Sequence, residues 1–249
     1  MDEIMTIATS KYMKDRGTLF IGTGLPMVAA YLAKATHAPD AALLFESGVL
    51  DPRPKRIAKA VGDPRLVSTA RRVSGMADSL LLLHGGRVDL GVLGCAQIDR
   101  FGNINTTAVG EGGYARPTTR LPGSGGANDI ASLAKNVVIV TRHNIRTFVE
   151  KLDYLTTPGF LTGPGSREAA GLPGGGPIAV VTDKCVFEFD SESREMYLKS
   201  VHPGVSFDDV AAATGFSLSR PAELIETPAP TADELEILRT RIDPQGVYL

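Results

Sequence analysis

The hydrophobic pattern of the chain opens with a strand, a turn and a helix. Residues 18–24 (TLFIGTG) form an apolar run that ends in two glycines. Pro26 follows, where the first turn of a helix tolerates proline, and the next apolar residues recur at helical spacing. Their shared face comprises Met27, Val28, Tyr31, Leu32 and Ala35. Pro39 stops the helix before a second apolar run at 41–45, so the pattern predicts a βαβ unit.

Short β-branched runs recur further along the chain. Residues 88–93, 136–140 and 178–181 are bounded by Gly, Asp or Asn, which is typical of strands. A helix-like stretch over roughly 55–83 precedes them. The segments VFEFD and MYLKSVH, within 186–202, alternate between apolar and polar residues, which predicts an antiparallel pair.

Two further helices are predicted after these strands. Ser206 begins SFDDVAAATG, with acids in the first turn and Gly215 as the stop. Thr231 and Glu234 form a capping box for ADELEILRTRI.

Apolar early strands separated by helices favour a mostly parallel sheet covered on both faces. We therefore predict an α/β fold, a three-layer α/β/α sandwich with a mostly parallel mixed sheet. Residues 1–249 are expected to form a single domain. Within it, the Pro/Gly-rich stretch 158–177 is expected to be an ordered functional loop rather than a linker.

Composition narrows the classes of function. The 249 residues carry 26 basic and 28 acidic side chains, a formal net charge of −2, so no general attraction to nucleic acid or to an anionic membrane is expected. Cys95 and Cys185 lie far apart in apolar contexts and match no metal spacing or disulfide framework. The acidic start, MDEIMTIATSKYMKD, is unlike a signal peptide, so the cytoplasm is the expected location.

Glu46 is the sharpest candidate for chemistry. In LLFESG the apolar run of a strand ends in this carboxylate, and Ser47 and Gly48 follow at once. Ligands of open α/β sheets bind outside the carboxyl ends of the parallel strands, where a glycine lets a ligand come close. The alternative for an isolated ESG is a solvated loop acid, which is the more common case.

The segment PGSGGAND (122–129) is the second candidate. Gly123, Gly125 and Gly126 expose consecutive backbone N–H groups ahead of the helix-like IASLAK. Such a turn can form an anion-binding nest or an oxyanion hole. An ordinary turn that leads into a helix is the alternative.

Three other patterns are weaker evidence for a functional site. The GTG at 22–24 opens a helix as dinucleotide-binding motifs do, but Met27 stands where GxGxxG requires its third glycine. GCAQIDRFGNIN (94–105) contributes Gln97 and Asn103, for which a hairpin with Asx turns is the alternative. The four histidines lack metal-ligand spacing and no GxSxG motif is present, so neither a metal site nor a serine triad is predicted.

In combination and in order, the motifs resemble the β subunits of class I CoA-transferases of the glutaconate CoA-transferase type. The segments that carry the resemblance span essentially the whole chain: GTGLP (22–26), FESGVLD (45–51), VGDPR (61–65), LGCAQIDRFGNINTT (93–107), TRLPGSGGAND (119–129), LDYLTTPGFLTGPGSRE (152–168), GLPGGGP (171–177), VVTDKCVFEFD (180–190) and IDPQG (242–246). The resemblance implies the CoA-transferase superfamily fold and a separate, homologous α subunit in an α2β2 or α4β4 heteromer.

The resemblance also implies roles for particular residues. The family's nucleophile is the glutamate of its ESG motif, which aligns with Glu46. Its glycine-rich loop, implied to donate N–H groups near the reacting thioester, aligns with Gly123, Ser124, Gly125, Gly126, Ala127 and Asn128. Residues expected near the cleft are Gly22, Thr23, Gly24, Ser47, Gly48, Gln97 and Asn103.

The implied reaction moves CoA from an acyl-CoA to a free acid, a dicarboxylic one by analogy with glutaconate, through a covalent glutamyl-CoA thioester on Glu46. CoA is then a substrate, and no metal or redox cofactor is needed. One alternative is an acyl-CoA hydrolase or C–C-cleaving enzyme of ring or steroid catabolism on the same fold. Another is an inactive partner subunit. The intact Glu46 disfavours both, because some relatives with this fold that have other chemistry have lost this carboxylate.

Overall fold

The computed structural model describes residues 2–249. The strands in chain order are β1 Thr18–Ile21, β2 Ala42–Leu44, β3 Val49–Leu50, β4 Arg72–Val73, β5 Leu90–Leu93, β6 Gln97–Ile98, β7 Ile104–Asn105, β8 Ala108–Val109, β9 Thr119–Arg120, β10 Val137–Val140, β11 Pro177–Val181, β12 Cys185–Phe189 and β13 Met196–Val201. The helices are α1 Asp2–Ser10, α2 Leu25–Ala35, α3 Pro64–Val67, α4 Met76–His84, α5 Ala127–Leu133, α6 Ser166–Ala169, α7 Phe207–Ala212 and α8 Ala232–Ile237, and a π-helical turn follows at Leu238–Ile242.

Nine strands form one mixed sheet in the order β13-β12-β11-β10-β5-β1-β2-β3-β4. The five inner strands, from β11 to β2, are parallel. Both edges are antiparallel, with β12 and β13 on one side and β3 and β4 on the other. The predicted mostly parallel mixed sheet and the predicted antiparallel pair are therefore confirmed.

Helices cover both faces of this sheet. One hydrophobic core joins α1, α2 and the π-helical turn to one face, and a second core joins α4, α5 and α7 to the other. Within β1, Leu19 and Ile21 belong to the first core and Phe20 to the second, as alternation along a strand requires. The three-layer α/β/α architecture is thus confirmed. Within residues 2–249, none of the helices has the length and apolar character needed to cross a membrane.

The single helix-like stretch expected over roughly 55–83 is wrong. The chain instead forms α3, the edge strand β4 and α4 there. Asp63 starts α3 by accepting a 3.0 Å hydrogen bond from the Arg65 N–H, with Pro64 in the first turn. Asp78 accepts a 3.0 Å hydrogen bond from the N–H of Gly75 and so starts α4 separately. Local caps therefore override the longer apolar periodicity.

Helix α1 is not among the predicted elements. Its buried residues include Thr6, Thr9 and Ser10, which are weak helix formers. Thr9 and Ser10 satisfy their hydroxyls by donating to the carbonyls of Met5 and Ile7, at 2.8 and 2.7 Å. Tertiary burial against α2 and the sheet, rather than local propensity, stabilises this helix.

One buried arginine holds the 158–177 loop in place. Arg167 lies on α6 within this loop and is only 3% exposed. Its guanidinium donates to the carbonyl oxygens of Gly159, Ala131 and Gly174, at 2.8, 3.0 and 2.9 Å. These bonds connect both ends of the loop to α5. The loop is ordered, as predicted, although it contains little regular structure.

We predict that Arg167→Met lowers the free energy of unfolding by about 3 kcal/mol, because three buried carbonyl groups lose a charged donor. Urea unfolding measures the loss, and limited proteolysis should find new cleavage within 158–177. Arg146→Met at an exposed position is the control, expected to stay within about 0.5 kcal/mol of the parent. Equal stabilities for the two variants would show that Arg167 is not holding the loop.

A second buried polar cluster centres on His143. Its ring is 3% exposed, stacks on Phe148 with 4.1 Å between centroids, and lies 2.9 Å from the Thr214 hydroxyl. Burial lowers the pKa of His143 to about 4. Burial also lowers the pKa of His202. Both rings are therefore neutral in the folded protein near neutral pH.

We predict that stability falls as the pH drops from 7 to 5. Between the usual histidine pKa and about 4 the unfolded chain binds a proton that folded His143 does not, so the stabilisation is lost as the pH falls through this range. The loss of unfolding free energy due to His143 is complete only below about pH 4, where it reaches about 3 kcal/mol. Urea unfolding at pH 7 and 5 tests this, and His143→Gln should flatten the dependence. His84→Gln, at an exposed position, is the control and should keep the parent's pH dependence. The assignment fails if His143→Gln keeps that dependence too.

Candidate active site

The candidate site lies at the edge of the sheet where the parallel strands β1, β2 and β5 reach their carboxyl ends. Phe20 of β1 pairs with Leu44 of β2. Continuing that register by two residues brings Gly22 level with Glu46. On the other side of β1, Ile21 pairs with Val92. The turns that follow these strands therefore meet at one edge, as the position of Glu46 in the sequence predicts.

A tight turn between β2 and β3 presents Glu46. The N–H of Gly48 donates to the carbonyl of Phe45 at 3.0 Å, and the N–H of Phe45 donates to the carbonyl of Val49 at 3.0 Å. Glu46 and Ser47 are thus the two central residues of a β-turn. The buried hydroxyl of Ser79 donates to the Glu46 carbonyl at 2.9 Å and so anchors the turn to α4.

Gly48 is required where it stands. Its φ is +89°, and a Cβ there would lie 2.3 Å from the carbonyl oxygen of Ser74. The N–H and hydroxyl of Ser74 both donate to the Gly48 carbonyl at 3.0 Å. The glycine of the ESG motif therefore lets the turn pack directly against the residues that precede α4.

The glycine-rich loop is held from both ends. The N–H of Gly123 donates to the Thr106 carbonyl, and the Thr106 hydroxyl donates back to the Gly123 carbonyl, both at 2.8 Å. The hydroxyl of Ser124 accepts the N–H of Asn128 at 3.2 Å, and the Asn128 amide donates to the Thr156 carbonyl at 2.9 Å. Ala127 begins α5. The loop is therefore a defined structure.

The structure brings Glu46 and this loop together. A Cβ on Gly126 would lie 3.3 Å from the carboxyl carbon of Glu46, and one on Gly125 would lie 3.9 Å from its Oε1. Any side chain at Gly126 would crowd the carboxylate. Two segments separated by 80 residues in sequence thus form one contact. The contact is possible because Gly125 and Gly126 have no side chains.

The polar groups of this contact are unused within the chain. Across residues 2–249, the Glu46 carboxylate forms no ion pair and accepts no hydrogen bond, and the N–H groups of Gly125 and Gly126 find no acceptor. The hydroxyl of Ser47 is buried and also lacks a partner in that range. Glu46 itself is half-buried. A carboxylate and two N–H donors are therefore left without partners beside one another.

The turn at 22–24 completes this edge. Gly24 has a φ of +87° and stands just before α2, while Gly22 and Thr23 are half-buried beside it. Tyr248 lies next to this turn, and its hydroxyl donates to the Ala58 carbonyl at 2.9 Å. Burial raises the pKa of Tyr248, and a hydrogen bond with the Gly24 backbone opposes that rise.

Gln97 and Asn103 are committed to bonds inside the protein. The Gln97 amide donates to Asp153 at 3.0 Å, and its oxygen accepts from the Asn105 amide at 2.7 Å. Asn103 donates to the Leu161 carbonyl at 2.7 Å and accepts from the Gly159 N–H at 2.8 Å. Both residues are buried. In this structure their polar atoms connect the β6–β7 hairpin to the segments that follow it.

Two residues of the site carry no sequence signal that marks them. Ser79 holds the Glu46 turn from α4, and Thr106 holds the glycine-rich loop from the end of β7. Hydroxyl residues are common in such positions, and only the three-dimensional contact distinguishes these two. Among residues 2–249, no cluster of three or more His, Cys, Asp or Glu side chains could hold a metal ion.

Comparison with known proteins identifies the family. The family model described as Coenzyme A transferase matches residues 2–213. The chain is 44% identical over 239 residues to a subunit of 3-oxoadipate CoA-transferase from Pseudomonas knackmussii, covering 96% of this chain and 91% of that one. The crystal structure of glutaconate coenzyme A-transferase from Acidaminococcus fermentans aligns with a TM-score of 0.93 at 37% identity, covering 99% and 96% of the two chains.

A relative named for different chemistry is more distant. The cholesterol ring-cleaving hydrolase IpdB subunit of Rhodococcus jostii is 30% identical over 226 residues, covering 90% of this chain and 83% of that one. The resemblance and the enzyme class predicted from the sequence are confirmed by the first three matches. The chain belongs to the coenzyme A transferase family.

Proposed function

We propose that this chain is the β subunit of a CoA-transferase that moves CoA from an acyl-CoA to a free carboxylic acid, with Glu46 as the covalent nucleophile. The observation that carries the proposal is the Glu46 carboxylate beside the backbone of Gly125 and Gly126. A carboxylate nucleophile needs an oxygen that is free to attack. An oxygen that binds no cation and accepts no hydrogen bond has both of its lone pairs available.

The proposed reaction exchanges acyl groups without net redox change. The Glu46 carboxylate attacks the thioester carbonyl, and the C–S bond breaks to give a mixed anhydride and CoA thiolate. The thiolate then attacks the Glu46 carbonyl of the anhydride, which releases the donor acid and leaves glutamyl-CoA. The acceptor carboxylate repeats the two steps in reverse order and leaves as its own CoA thioester, which restores Glu46.

The glycine-rich loop fits the charge that develops in these steps. Each addition to a carbonyl produces an oxyanion, which backbone N–H donors stabilise by about 3 kcal/mol each when they are already aimed at it. The backbone of Gly125 and Gly126, whose N–H groups have no acceptor among residues 2–249, lies next to the Glu46 carboxyl group. The thioester carbonyl or the Glu46 carbonyl could each receive such a donor.

A separate α subunit is part of the proposal. Relatives of this chain are named as subunits, and in this chain alone Gly125 is exposed and Glu46 is only half-buried. The outer face of α4, whose buried Ser79 holds the Glu46 turn, exposes Met76 by 56% and Leu81 by 64%. We propose that the α subunit covers this face and closes the cleft against water, which protects the glutamyl thioester from hydrolysis.

The substrates are proposed by similarity. Glutaconate is a dicarboxylic acid and 3-oxoadipate is another, so relatives named for them favour a dicarboxylic acyl group here. The hydrolase alternative rests on the IpdB relative. The two functions differ in the acceptor: a transferase requires an added free acid, whereas a hydrolase releases CoA into water alone.

Cofactor use, domain organisation and assembly complete the proposal. CoA enters as a substrate, with no metal or redox cofactor in the mechanism. Residues 1–249 act as one domain, because a single sheet and its two cores draw on strands and helices from α1 to the π-helical turn. The proposed assembly is an α2β2 or α4β4 heteromer, and its proposed location is the cytoplasm.

We predict that Glu46→Ala lowers CoA transfer by the reconstituted αβ complex at least about a thousandfold, because the nucleophile is gone. Glu46→Asp should lose about a hundredfold, since the carboxylate retreats by one methylene. The direct readout is peptide mass spectrometry after incubation with a panel of acyl-CoAs and trapping with hydroxylamine or borohydride. A modification at Glu46 that depends on acyl-CoA is expected.

Glu223→Ala, at an exposed position without an ion pair in residues 2–249, is the matched control and should retain parent activity. Transfer at the parent rate by Glu46→Ala would reject Glu46 as the nucleophile. CoA release without any added acid, and without modification of Glu46, would instead assign the protein to the hydrolases.

We predict that Leu81→Asp weakens assembly with the α subunit at least about tenfold, because a charge replaces a large apolar contact. The unfolding midpoint of the chain alone should not change, since the side chain is exposed. Size-exclusion chromatography with light scattering on co-expressed subunits measures assembly. Ile145→Asp, at a comparably exposed position, is the control, and equal effects of both substitutions would place the partner elsewhere.

A further inference from the structure

A cleft at the opposite end of β2 is lined by polar side chains that the proposed function does not use. It lies between α2, the segment 51–57 and the π-helical turn, and has a volume of about 310 Å³. The polar residues that line it are Tyr31, Lys34, Arg53 and Arg241. That volume is within the range of small-molecule pockets.

The charges around this cleft are predominantly positive. Lys34 is held at 2.6 Å from the buried carboxylate of Asp51, so this acid offsets the charge of one of the cations that line the cleft. Arg53 lies 3.7 Å from the same carboxylate, and its side chain is 71% exposed. Arg241 forms no ion pair with any of residues 2–249. The lining therefore carries three cations, two of which contact one carboxylate, a formal excess of two positive charges.

Tyr31 adds a polar group that lacks a partner. Its hydroxyl is buried, and within residues 2–249 no hydrogen-bond partner is present. Burial and the nearby Asp51 carboxylate raise the pKa of Tyr31, so the hydroxyl keeps its proton and remains a donor. A buried hydroxyl without a partner is costly, and an acceptor bound in the cleft would remove that cost.

The rest of the wall is apolar. Ala35, Pro39, Pro54 and Ile57 line the cleft next to the two arginines. Such a surface suits the carbon skeleton of an organic ligand, whereas planar guanidinium groups suit the oxygen atoms of a phosphate. The combination favours an organic phosphate over a bare inorganic ion.

We propose that this cleft binds the phosphate group of an organic phosphate, with Arg53 and Arg241 as its direct ligands and the Tyr31 hydroxyl as an additional donor. The site is separate from Glu46: the five residue steps from Ala41, whose carbonyl Lys34 contacts, to Glu46 correspond to about 16 Å of extended chain. The assignment does not depend on Glu46 being the nucleophile. The phosphate belongs either to the far end of CoA itself or to a separate small molecule.

The test is calorimetric titration of the parent chain with inorganic pyrophosphate at fixed salt concentration. We expect the double variant Arg53→Gln/Arg241→Gln to bind at least about tenfold more weakly than the parent. The double variant Arg87→Gln/Arg146→Gln removes the same charge from exposed positions and should lose less than about twofold. Equal losses in both double variants would falsify the site, because only general charge attraction would remain.

Tyr31→Phe supplies a second readout that does not change charge. The hydroxyl it removes has no partner in residues 2–249, so the midpoint of thermal unfolding should stay the same or rise while pyrophosphate affinity falls several-fold. Unchanged affinity would remove Tyr31 from the site. With the site supported, CoA titration in saturating pyrophosphate identifies the source: weaker CoA binding assigns the site to the phosphates of CoA, and unchanged binding assigns it to a separate organic phosphate.

Discussion

The close approach of the Glu46 carboxylate to the backbone of Gly125 and Gly126 is the constraint on which the rest of the site depends. A Cβ on Gly126 would already lie 3.3 Å from the carboxyl carbon. To keep this approach, the β2–β3 turn must be anchored from α4, and the loop before α5 must be anchored from the end of β7. The parallel sheet supplies the common edge at which both anchors meet.

Much of this arrangement could be predicted from local sequence. The inner strands β1, β2, β5, β10 and β11 are short, strongly apolar and bounded by turn residues, so periodicity located all of them. Glu46 stood out because a carboxylate ended such a strand, and Gly123 to Gly126 because consecutive glycines preceded a helix. Each of these signals lies within about ten residues of chain.

The parts that could not be predicted depend on contacts between distant residues. The apolar run in 55–83 is helical in spacing, yet two caps and an edge strand divide it. Arg167 looks like any loop arginine in the sequence, but its guanidinium joins α5 to both ends of the 158–177 loop. Gln97 and Asn103 lie in the motifs that resemble the family, and in the fold their amides brace neighbouring segments. Sequence position alone does not separate a bracing amide from one that meets a ligand.

Glu46 and Gly126 are 80 residues apart in the sequence, and this distance along the chain determines when the site can form during synthesis on the ribosome. The hairpin of β2 and β3 can form soon after it emerges, since its residues are adjacent in the chain. The carboxylate then has no neighbouring glycine loop until 80 more residues have been added and β5 has paired with β1. Until then the turn that carries Glu46 lacks the loop it contacts in the finished fold, so the site cannot form before translation has passed α5.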